Sequence, residues 1–179
     1  MKGKVEEHRQ DARHLAARAV MAYRAGFPIE TLTIAEQAGS RSGIICNWKQ
    51  LRGTCQSDEK LLLRGFAYVF IGTIIDQDSG EPMSDGLRKE LVSDMSSAAE
   101  ARETTVQWHL APNLSETNSF AHAGYKLASR VLRNDGSLIE LLADELSASE
   151  TMNGEQLNSW FEKHASRLVL DELEASWLF

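Results

Sequence analysis

Apolar residues recur at three- and four-residue intervals in "EEHRQDARHLAARAVMAYRA", with Leu15, Ala19, Val20 and Tyr23 on one face, and this spacing predicts an amphipathic helix. Gly26 and Pro28 stop it. A second, short helix is expected from about Glu30. The most apolar segment follows Ser57: Leu61, Leu62, Leu63, Phe66, Tyr68, Val69, Phe70, Ile74 and Ile75 leave little polar face, which predicts a central buried helix capped by Ser57 or Asp58. Its tail "AYVFIGTII" is β-branched and aromatic, so a strand over 66–75 stays open beside the favoured helix. "DQDSGEPMSDG" reads as a loop and marks a boundary. Helical spacing resumes in "LRKELVSDMSSAAEARETTVQW", in "SETNSFAHAGYKLASRVLRN" (Phe120, Ala123, Leu127, Val131), in "DGSLIELLADELSAS" and in the C-terminal segment (Leu157, Trp160, Phe161, His164, Leu168). Nothing alternates like a strand over a useful length. The pattern therefore predicts an all-α fold of about eight helices. An N-terminal helix-turn-helix DNA-binding module, 1–77, would pack on a helical C-terminal region, 78–179, used for core packing and oligomerisation.

The helix-turn-helix expectation rests on "TLTIAEQAGSRSGIICNWKQLRG", Thr31 to Gly53. Ala35 is small where two helix axes would meet, and Gly39 tolerates the left-handed turn. Ile34 and Ala38 would face inward from the first helix, and Ile45 and Trp48 would anchor the second. Ser40 departs from the apolar residue usual after the turn glycine. The outward face would carry Arg41, Ser42, Gly43, Cys46, Asn47, Lys49, Gln50 and Arg52. Arg41, Asn47 and Gln50 suit base edges, and Ser42, Lys49, Arg52, Lys60 and Arg64 suit phosphates. An ordinary helical hairpin with no DNA contact meets the same spacing.

Charge bears on the partner. Residues 1–65 hold 11 Lys/Arg against 7 Asp/Glu and the remainder 8 against 19, so a front of +4 precedes a back of −11 within a net −7. Such polarity suits a module that meets a polyanion while the rest meets protein or solvent. At 179 residues, with 42% apolar and 25% charged positions, the chain has a globular composition. No run reaches the roughly 18 apolar residues of a membrane span, and the charged N-terminus lacks a signal-peptide core, which predicts a cytoplasmic protein. Cys46 and Cys55 are expected as free thiols in a reducing compartment.

The N-terminal part resembles the C subunit of the flagellar master transcription regulator and related activators of conjugative elements, through "SRSGIICNWKQLRG" and "WHLAPNLSETNSFAHAGYKLASRVL". The resemblance implies a transcription activator that binds double-stranded DNA as a homo-oligomer or with a small partner subunit. That family carries four zinc-binding cysteines near its C-terminus, whereas this chain has none after Cys55, and residues between "QLRG" and Trp108 have the look of an insertion.

Other chemistry finds little support. His8, His14, His109, His122 and His164 are scattered without metal-ligand spacing, and His122 and His164 lie near apolar helical faces. No nucleophile elbow, phosphate loop or dinucleotide fingerprint is present, so neither enzyme activity nor a cofactor or metal is expected. Trp160, Trp177, Leu178 and Phe179 would dock on the chain's own core or form a subunit interface. Two functions remain: a sequence-specific DNA-binding regulator, or a non-enzymatic helical adaptor whose hairpin is structural.

Overall fold

The computed structural model describes residues 2–35, 43–46, 58–79 and 114–165. The described elements are α1 (Lys2–Ala25), β1 (Ile29–Thr33), β2 (Gly43–Cys46), α2 (Asp58–Ser79), α3 (Leu114–Ser149), β3 (Thr151–Asn153) and α4 (Gly154–His164). Four helices thus accompany a three-stranded sheet among the described residues, and the expectation of an all-α fold of about eight helices is overturned.

Helix α1 owes its length to Ala12, Ala16, Ala17, Ala19, Ala22 and Ala25, the residue of highest helix propensity, and all six are buried. Small side chains suit a helix against which both α2 and α3 pack. The helix stops as expected. Gly26 takes a left-handed φ of 74°, its N–H donates to the Tyr23 carbonyl, and the Phe27 N–H donates back to Ala22, which satisfies carbonyls the last turn leaves open. Helix α2 resolves the choice over 66–75 in favour of helix, with Phe66, Ala67, Tyr68, Ile71, Ile74 and Ile75 buried. It runs on to Ser79, past the first residues of the expected loop.

Two expected helices prove to be one. Helix α3 passes without a break through Asn134, Asp135 and Gly136, a run that reads as a turn. Its buried stripe of Leu127, Ala128, Val131, Leu138, Ile139, Leu142 and Leu146 explains the continuity. A glycine inside a helix costs about 1 kcal/mol, whereas each large apolar side chain in the stripe contributes about 1.5–3 kcal/mol by burial.

Within the segment expected as a helix pair, the described residues 31–33 and 43–46 belong to an antiparallel sheet of order β2-β1-β3. Leu32 faces Ile44 on one side and Met152 on the other, with Leu32 and Met152 buried. Thr33 and Thr151 pair across the strands through their hydroxyls at 2.7 Å. The β-branched Ile29, Thr31 and Thr33 suit a pleated strand, and a bulge falls between Ile29 and Thr31.

Past β3, α4 begins with a reciprocal cap: the Gln156 N–H donates to Asn153 Oδ1 at 2.9 Å and the Asn153 N–H donates to Gln156 Oε1 at 2.8 Å. Leu157 and Phe161 bury its inner face, and Phe161 stacks on Tyr23 of α1 with ring centroids 4.1 Å apart. Among the described residues one core cluster runs from Ala12 to Phe161, and elements on both sides of the expected 77/78 boundary share it.

Candidate functional site

Most of the expected DNA-reading residues, Arg41, Ser42, Asn47, Lys49, Gln50 and Arg52, lie outside the described residues, as do Ala38, Gly39, Trp48 and Cys55. Lys60 belongs to the first turn of α2. Arg64 is half-buried and its Nη1 donates to the Ala25 carbonyl at 3.2 Å, so it closes the C-terminal end of α1, where a cation is favoured. Ile34 is buried as expected, but next to a strand; Ile45, expected as a packing anchor, is 55% exposed. Neighbouring side chains on a strand point to opposite faces, and Cys46, expected on the outward face, takes the buried one instead. Among the described residues between Thr31 and Gly53, 31–33 and 43–46 are strands where helix was expected, which overturns the helix-turn-helix.

The structure instead concentrates polar groups between α1 and its neighbours. Along the contact with α3, Arg9 meets Asp144, Arg13 meets Glu140 and Arg24 meets Asp135. These three pairs differ in weight. The Arg9 pair is 4.0 Å long between side chains about 70% exposed, which contributes about 0–1 kcal/mol. Arg24 and Asp135 are 3% and 5% exposed and joined by two hydrogen bonds, each 2.8 Å. Removing either partner there leaves a buried charge, at a cost of about 3–5 kcal/mol.

A second polar group joins α1, α2 and β2. His14 is fully buried, and its imidazole fills the space where Gly72 of α2 lacks a side chain. One turn on, the Arg18 guanidinium lies over the Tyr68 ring, 4.5 Å from its centroid, a cation–π contact inside the fold. Cys46 Sγ donates to the Tyr68 hydroxyl at 3.9 Å. Burial pushes the Cys46 thiol above its ordinary value, against the lowering influence of the Tyr68 bond and the Arg18 charge, while Glu30 adds to the rise. Cys46 is a free thiol, and its burial favours the protonated form.

The spacing of His14 and Arg18 has a chemical consequence. A helix that presents a hydrolytic zinc site places histidines at i and i+4 with a glutamate at i+1 as general base. Here Leu15 stands at i+1 and Arg18 at i+4, and a guanidinium has no lone pair for a metal. Among the described residues no three of His, Cys, Asp and Glu converge on a metal position. His122 and His164, expected near apolar faces, are both exposed.

The sequence carries a signal for this polar interior that helical periodicity alone does not single out. His14 and Arg18 interrupt an otherwise apolar run in "HLAARAVMA", and Asp135 falls in the apolar stripe of α3. Trp160 is half-buried and meets Phe161 edge to face at 5.3 Å, so it packs on the chain's own core; Trp177, Leu178 and Phe179 lie outside the described residues. No helix among the described residues is long and apolar enough to cross a membrane. No protein-family model and no curated protein matches this chain.

Proposed function

We propose that this chain is a non-enzymatic protein-interaction module whose N-terminal arginines hold its own fold together instead of meeting DNA. The observation that carries this reading is the ladder of pairs between α1 and α3. Arg9, Arg13 and Arg24 belong to the basic front of the chain, and Asp144, Glu140 and Asp135 to its acidic back. The charge polarity of the sequence is in this way partly neutralised within the molecule. A polyanion would have to take these guanidiniums from carboxylates, and losing Arg24 would strand Asp135 as a buried charge. Arg64 is also engaged, on the end of α1.

The non-enzymatic half of the reading draws on Leu15 and Arg18, which put an apolar group and a guanidinium where a metal hydrolase needs a base and a ligand. A free thiol at Cys46 suits a reducing compartment such as the cytoplasm.

A second reading, a DNA-binding transcription activator working as an oligomer with or without a small partner subunit, is favoured by Arg41, Lys49 and Arg52, which crowd both flanks of β2 in the sequence. It would no longer use a helix pair. Selection from random duplex DNA by the purified chain separates the two. The first reading expects no enriched sequence; an enriched duplex whose binding falls on Arg41→Ala and Lys49→Ala, but not on Arg64→Ala, would overturn it.

A further inference from the structure

We draw no further inference here: the strongest candidate, the buried side-chain cluster of His14, Arg18, Tyr68 and Cys46 between α1, α2 and β2, carries nothing because it amounts to a lone cysteine among packed neighbours, with no second observation among the described residues that points to a ligand.

Discussion

Arg24 and Asp135, 111 positions apart in sequence, form a two-pronged ion pair inside the core, with Nε donating to one carboxylate oxygen and Nη2 to the other. The planar fork of a guanidinium matches a carboxylate in this way and a lysine ammonium does not. The pair joins the last turn of α1 to the middle of α3, beside the Asn134–Gly136 run that would otherwise favour a turn. It therefore ties the continuity of α3 to the presence of α1.

Replacing Arg24 by Met should lower the unfolding free energy by about 3–5 kcal/mol, because Asp135 stays buried without its partner. Adding Asp135→Leu should restore most of that loss, since two apolar side chains leave no charge to compensate. Arg9→Ala should change stability by no more than about 1 kcal/mol. Urea unfolding of the four proteins checks the set, and a double variant no more stable than Arg24→Met would contradict the account.

Two left-handed positions predict changes of opposite sign. Gly26 has φ 74° and Glu150, at the end of α3, has φ 59°. A side chain in this region costs roughly 1–2 kcal/mol relative to the right-handed one. Gly26→Ala should lower the melting temperature and Glu150→Gly should raise it. The Glu150 carbonyl accepts the Ile34 N–H at 2.9 Å through its backbone, so this contact survives the substitution. A fall in melting temperature for Glu150→Gly would count against the geometry of this turn.

A side chain at position 72 should meet the His14 ring. Gly72→Ala places a methyl group against the imidazole, and overpacking of this kind costs roughly 1–3 kcal/mol. His14→Ala opens the space. In a double-mutant cycle on unfolding free energy, Gly72→Ala should therefore be less harmful in the His14→Ala background. Strictly additive effects would mean that the two residues do not touch.

Cys46 predicts a dependence on alkaline pH. Its folded thiol is raised by burial, so the folded state holds its proton where the unfolded chain has released it. The stability this contributes is fully present below the unfolded thiol value and is lost as pH rises toward the folded one. Wild type should lose stability over that window more steeply than Cys46→Ala. With an aromatic disulfide reagent near neutral pH, Cys46, followed in a Cys55→Ser variant, should react at the rate of unfolding. Rapid labelling of the folded variant would show an accessible thiolate instead.

Much of the helical frame was legible because its determinants are local. Gly26 and Pro28 end α1 through backbone geometry that few other residues permit, and Leu127, Val131, Leu157 and Phe161 take the buried places their spacing indicates. The sheet was not legible. "TLTI" and "GIIC" are too short to show a period of two, and the position of Ile45 also suited a helix face. Strand β1 forms by pairing with β3, whose three residues lie about 120 positions downstream, and no local window contains that pairing.

The sequence by itself determined where the apolar mass lies, where α1 stops and that the chain divides into a basic front and an acidic back. Only tertiary structure decided what those charges do. Coulombic attraction depends on distance and burial, not on position in the chain, so a surplus that reads as a surface for a polyanion became, at Arg24 and Asp135, an internal pair. The same holds for His14 and Arg18, which only the approach of Gly72 and Tyr68 turned into core residues. A helix continues or breaks, and a strand forms or does not, according to what packs against it, because each local preference amounts to about 1 kcal/mol or less while burial of a large side chain contributes about 1.5–3 kcal/mol.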